Sequence, residues 1–121
     1  MRNRGLGDRG EDLAARFLRG RGYRILARNF RCPRGEIDLI ARDGEIVVFV
    51  EIKGRSSARF GSPLEAVTAV KRRRLERAAE RYLSVCSLRH ARTRFDVVGI
   101  RWTSEGDGDC TLVRDAFRAG E

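Results

Sequence analysis

Residues 35–55, GEIDLIARDGEIVVFVEIKGR, constrain this chain more than any other stretch. Two apolar runs, IDLIA and EIVVFVEIK, flank Asp43-Gly44, a dipeptide that favours a two-residue hairpin turn. Runs this apolar are buried as sheet strands, yet Glu36, Asp38, Glu51 and Lys53 are set into their far ends. With Asp43 and Gly44 as the turn, Arg42 faces Glu45, Ile40 faces Val47, Asp38 faces Phe49 and Glu36 faces Glu51. Side chains alternate along a strand, so Glu36, Asp38, Phe49, Glu51 and Lys53 share one face. Ile37, Leu39, Val48, Val50 and Ile52 take the other. Asp38 and Glu51 become diagonal neighbours, about 7 Å apart or less between Cβ atoms. A loop of odd length would scatter the charges.

Carboxylates gathered this closely repel one another unless a cation lies between them. Oxygen donors at such spacing suit a hard divalent ion, Mg²⁺ before others. The plain alternative is a solvated sheet face on which Lys53 pairs with one acid. That accounts for a single carboxylate. It accounts poorly for a run such as IVVFV whose polar residues begin only at its end, on one face.

At 121 residues the chain is expected to form one domain, residues 1–121. It has no apolar run of about 18 residues or more, so no membrane span is expected. The N-terminal MRNRGLGDRGEDL lacks the apolar core of a secretory signal. Cys32, Cys86 and Cys110 form no CxxC pair and suggest neither a disulfide framework nor a zinc site. The expectation is a cytoplasmic protein with reduced thiols. Its 26 basic residues against 17 acidic ones leave a net charge of +9. Such a surplus attracts polyanions, nucleic acid first among them. Of the 26, only Lys53 and Lys71 are lysines and the other 24 are arginines. Arginine stays protonated, whereas a partly buried lysine can tune its pKa, so each surviving lysine marks a place where an amine is needed.

Helical spacing of Leu13, Ala14, Phe17 and Leu18 predicts a helix over 8–22, with acids in its first turn and glycines at its end. Residues 23–30 read as a strand and RCPRG as a loop, followed by the hairpin. GRSSARFGSP reads as a loop, and Ser62-Pro63-Leu64-Glu65 as a capping box. The helix it opens runs to about Cys86, with a break or restart near Thr68 left open. Residues 94–103 and 110–117 read as two more strands around the turn EGDGD. The order α-β-β-β-α-β-β implies an α/β domain, a mixed sheet flanked by helices.

Asp38, followed thirteen residues later by Glu51-Ile52-Lys53, resembles the D…ExK core of the PD-(D/E)XK nuclease superfamily. The likeness extends to an acid on the first helix (GEDLAARFL), GEIDLIARDG, VFVEIKGR, the FGSP helix with its lysine, and RFDVV. Together these look like the YraN-like family of small bacterial proteins, over about residues 5–117. They are also similar to archaeal Holliday-junction resolvases. The family's usual strand reads VFVEVKTR, so Ile52 and Gly54 are departures.

The resemblance implies a restriction-endonuclease-like fold and a Mg²⁺- or Mn²⁺-dependent endonuclease acting on DNA, including branched DNA. It implies that Asp38 and Glu51 ligate the metal, with the Ile52 carbonyl joining them. Glu11 would reach in from the first helix. Lys53 would orient or deprotonate the attacking water, or neutralise the scissile phosphate, with its own pKa lowered. Lys71, Arg55, Arg72 and Arg74 are the candidate phosphate contacts, and a homodimer is expected by analogy with the resolvases. Bland readings stand beside these: Glu11 as a helix-start acid, Lys71 as a solvated cap, and the arginine run as a solvated face. Glu36 ranks second among the acids. Asp96 reads as a structural partner for an arginine, His90 as a surface residue, and Trp102 and the tyrosines as packing. The rival function is a nucleic-acid-binding accessory protein that keeps the nuclease fold without turnover. A ribosomal-type RNA-binding protein is a weaker third reading, because it leaves the carboxylates unexplained.

Overall fold

The structure is a computed structural model that describes residues 6–55, 68–103 and 107–119. Its elements are α1 (Leu6–Gly20), β1 (Arg24–Cys32), β2 (Gly35–Asp43), β3 (Ile46–Arg55), α2 (Ala69–Val85), β4 (Thr93–Trp102) and β5 (Gly108–Phe117). The strands form one sheet in sequence order, antiparallel except where β3 pairs in parallel with β4. This is the expected α-β-β-β-α-β-β order and mixed sheet. A parallel pair needs a crossover, and α2 lies within it.

The two helices bury their apolar stripes on opposite faces of the sheet. Ala14, Ala15 and Leu18 of α1 pack on Leu39, Ala41, Val48, Val50, Val98 and Ile100. Leu75, Ala78, Ala79 and Tyr82 of α2 pack on Ile40, Val47, Phe49, Phe95 and Val97. Covered on both sides, residues 47–50 of β3 have no solvent face and are all 0–1% exposed. A doubly covered strand reads as a continuous apolar run, which is why IVVFV does not alternate. Phe49 lies 5.5 Å from Phe95 and 6.2 Å from Tyr82 between ring centroids, and Phe95 stacks on Phe117 at 4.7 Å. Burying each such ring stabilises the fold by roughly 1.5–3 kcal/mol, so these contacts tie β3, β4, β5 and α2 into one unit.

The β2–β3 register differs from the expected one by two residues. Asp43 pairs with Ile46, and Gly44 (φ 61°) and Glu45 make the turn. A positive φ at the first central residue alone is the type II′ pattern, which glycine suits. Asp43 is drawn into the ladder because its Oδ2 accepts hydrogen bonds from Arg94 and Arg114, both at 3.0 Å. A shift of two residues preserves the alternation, so the charged positions stay together. It also places Asp38 across from Glu51 instead of Phe49, one step beyond the last pair, Leu39 and Val50. Past that pair the sheet forks: β2 stays with β1 as far as Gly35, and β3 stays with β4 as far as Arg55. Ile37, expected with Leu39, belongs instead to the α2-side core beside Phe30.

The β1–β2 connection is tighter than the expected five-residue loop, since Cys32 pairs with Gly35 around Pro33-Arg34. Gly35 meets the backbone of α2 directly; a Cβ there would collide with the Arg74 carbonyl. Helix α2 starts at Ala69, and the Thr68 Oγ1 accepts the Lys71 N–H at 3.3 Å as its N-cap. The expected capping box at 62–65 lies outside the described residues. No described helix is long and apolar enough to cross a membrane.

Gly35→Ala is expected to destabilise the fold by about 1–3 kcal/mol, because the contact is backbone on backbone and cannot yield. Gly20→Ala, with nothing within 4 Å of the new methyl, is expected to be neutral or slightly stabilising. Urea unfolding of the two variants checks the contrast.

Candidate active site

At the fork, β3 emerges from beneath the helices and its side chains change from apolar to charged. Glu51 and Lys53 follow Phe49 at strand spacing, and the Lys53 Nζ lies 3.3 Å from the Glu51 Oε1. Both side chains remain largely covered, at 18% and 16% exposure for the lysine and glutamate. From the other prong, the Asp38 carboxylate accepts the Ile52 N–H at 2.8 Å. A side chain thus takes the place that a β2 carbonyl would fill in a continuous ladder. The N–H and C=O of one strand residue project to the same side, so the Ile52 carbonyl also faces the fork. Lys71, Arg74, Arg34 and Glu36 join Glu51 and Lys53 around an open recess of about 670 Å³.

Electrostatics mark the fork as strained. The Asp38 pKa is pushed up to about 7, first by burial and then by the Glu51 charge. The Ile52 N–H opposes that shift, while Glu36 and Glu11 add to it. Burial also raises the Glu51 pKa, against the pull of Lys53 and Lys71. Burial by itself would lower Lys53, but its contacts with Lys71, Glu51 and Asp38 outweigh this and raise it. The expected depression of Lys53 is therefore not seen. The amine pushed down is that of Lys71, first by its contact with Lys53 and then by burial. Two ammonium groups meet beside two acids, and the one seated against Glu51 keeps its proton more firmly.

Glu11 comes from α1, on the opposite sheet face from α2. It is 8% exposed, and its Oε1 accepts the Asn29 Nδ2–H at 2.8 Å. Asn29 has φ 50° in the middle of β1. Asparagine tolerates that left-handed geometry better than most residues, and strain of this kind concentrates at functional sites. Asn29 is not among the site residues expected from the sequence, although an asparagine inside a strand-like run is a visible anomaly.

The other candidates are spread more widely. Arg74 lines the recess, while Arg72 places its guanidinium 5.0 Å above the Phe117 ring and does not. Arg55 ends β3, and its side chain is outside the described set. Glu36 pairs with Arg31 at 3.2 Å. Asp96 is buried and accepts from Tyr23, Arg94 and the Asp115 N–H, the structural role expected for it. Trp102 packs against the α1-side core, and His90 is exposed.

Among the described residues no three Asp, Glu, Cys or His side chains converge into a closed metal cage. The donors at the fork are two carboxylates and a carbonyl, which fits an ion that keeps waters and shares its shell with a phosphate. Mg²⁺ binds in this way. A divalent cation there would relieve the part of the Asp38 shift that comes from the Glu51 charge, which is second to burial.

Sequence comparison identifies the family of the chain. The model of the uncharacterised protein family UPF0102 matches residues 10–100. A UPF0102 protein of Symbiobacterium thermophilum is 50% identical over 117 residues, covering 97% of this chain and 99% of its own. One from Caldicellulosiruptor saccharolyticus is 44% identical over 118 residues, 97% of this chain and 100% of its own. One from Clostridium perfringens is 44% identical over 117 residues, 96% of each.

Asp38 also links stability to pH. Its folded pKa lies above the unfolded value of 3.8. The stability associated with the protonated form is therefore complete below that value and is lost as pH rises through about 7. Asp38→Asn keeps an acceptor for the Ile52 N–H and removes the charge. Its stability relative to the parent should rise between pH 5 and pH 8 by about 1 kcal/mol or more, roughly 4 °C in Tm. Added Mg²⁺ at pH 8 should raise the parent's Tm and leave the variant's unchanged. Paired thermal melts with and without the ion check both statements.

Proposed function

We propose a divalent-metal-dependent DNA endonuclease activity for this chain, which belongs to the UPF0102 family. The observation that carries the reading is the fork itself: Asp38 and Glu51, from two diverging strands, lie close enough to perturb each other, and Glu51 and Lys53 line an open basic recess. Asp38, Glu51 and the Ile52 carbonyl would hold the ion. Bound there, a divalent cation would supply Lewis acidity to a phosphoryl oxygen and to water.

The chain's own groups do the remainder. Lys53, held as an ammonium by Glu51, presents positive charge to the scissile phosphate and orients the attacking water. Lys71 and Arg74, on the α2 side of the recess, neutralise the phosphate as it enters. Glu11, fixed by Asn29, adds negative charge behind Asp38 and strengthens its attraction for a cation. The +9 net charge raises the local concentration of any polyanion.

Labelled linear, flapped and four-way DNA, incubated with Mg²⁺ or Mn²⁺ against EDTA, tests the proposal. Metal-dependent cleavage is expected, with Asp38→Ala and Glu51→Ala each losing it. Cleavage that persists in either variant would come from a contaminant and would remove the assignment. Lys53→Arg is expected to lose about 10²-fold or more in rate with DNA affinity retained. The compact ammonium fits between Glu51 and Lys71, whereas a planar guanidinium fork does not. Salt-sensitive binding that ignores metal, with no cleavage of any substrate, would favour the accessory role instead.

A further inference from the structure

The recess at the fork has a neighbour. A second one, of about 520 Å³, lies between α2 and the β1–β2 turn and is lined by Arg34, Arg77, Arg81 and Ser84. Both recesses share the wall formed by Cys32, Pro33 and Arg34, so they adjoin. On α2, Lys71, Arg74, Arg77 and Arg81 recur every three or four residues and therefore form one stripe along the helix. The stripe from Lys71 to Ser84 is about 20 Å long at 1.5 Å per residue. Its far wall is the Pro33-Arg34 turn, held against α2 by the close approach of Gly35 to the Arg74 carbonyl.

The charge along this path is largely uncompensated. Arg34, Arg74, Arg77 and Arg81 are in no ion pair with a described carboxylate. Among the described residues Glu80 is the one acid lining the second recess; in the first, Glu36 pairs with Arg31 and Glu51 with Lys53. A row of cations about one helical turn apart suits a repeating anion better than a small one. Opposed walls that approach as closely as Gly35 and the Arg74 carbonyl suit one chain, because a duplex would touch only the rims. Among the described residues the recesses are lined by cations and no aromatic side chain, and cations contact phosphates, which carry no base preference.

We infer that the two recesses form one cationic groove, which holds the phosphodiester backbone of a single nucleic-acid strand leading to Asp38 and Glu51. The inference deepens the nuclease reading and rests on it for the class of ligand.

Fluorescence anisotropy with end-labelled oligothymidylate of about 16 nucleotides, the upper site size for a small single-strand-binding module, tests it. The measurement is made in EDTA so that no cleavage intervenes. Arg77→Ala/Arg81→Ala should weaken binding about tenfold or more and reduce the slope of log affinity against log salt by roughly 1.4, at about 0.7 per phosphate contact. Arg16→Ala/Arg19→Ala removes the same charge from exposed positions on α1, across the sheet, and should change neither. All four positions are exposed, and unchanged melting curves establish that the variants fold.

Equal losses in the two double variants would reduce the effect to net charge and overturn the groove. Duplex of the same length binding as tightly as the single strand would overturn it as well. Groove-dependent binding without cleavage would support the inference while removing the nuclease activity. Cleavage with an unchanged KM in Arg77→Ala/Arg81→Ala would do the reverse.

Discussion

The hydrogen bond from the Ile52 N–H to the Asp38 carboxylate is the constraint on which the site depends. Where β2 leaves β3, the Ile52 amide loses its place in the ladder, and a buried unpaired amide costs about 1–3 kcal/mol. The Asp38 side chain satisfies it, so the sheet can divide without that penalty. The division separates the two prongs, opens the recess and turns Asp38 toward Glu51. The cost appears as electrostatic strain, with the Asp38 pKa raised to about 7. A fold that retains such a pair has given up stability at the place where a cation would restore it.

The geometry of the fork is set from the opposite end of the hairpin. Asp96, buried within β4, accepts from Tyr23 and Arg94, and Arg94 in turn donates to Asp43. That network holds Asp43 in the ladder and leaves Gly44-Glu45 as the turn. The register so fixed decides which residue lies across from Glu51 about five residues away, roughly 17 Å along the strand. A polar cluster with no part in the chemistry thus determines which acids meet. Between the two ends, the doubly covered β3 and its aromatic neighbours transmit the register rigidly, because close-packed cores do not deform continuously.

The two lysines divide their roles by position. Lys53 rises from the strand into the space beside Glu51 and is held charged, while Lys71 enters from α2 as the second cation and is the more easily deprotonated. In a chain otherwise committed to arginine, both lysines converge on one recess. The compositional oddity and the geometry point to the same place.

Much of the fold was legible beforehand, for identifiable reasons. Apolar periodicity marked both helices and the buried hairpin, and the glycines and prolines bounded them. Parity of the turn was enough to expect Glu36, Asp38, Glu51 and Lys53 together; Glu36, Glu51 and Lys53 share one recess, while alternation breaks at Ile37 and Asp38 turns to the Ile52 amide. The placing of Glu51 and Lys53 side by side was therefore determined by the sequence alone, since they lie two apart on one strand. The tertiary structure decided the rest: the two-residue shift imposed by Arg94 and Arg114, the fork sealed by the Ile52 amide, Glu11 steadied by Asn29, and the approach of Gly35 to α2 that shapes the groove. Each is a contact between residues distant in the chain, and local pattern carries no record of which distant partner will arrive.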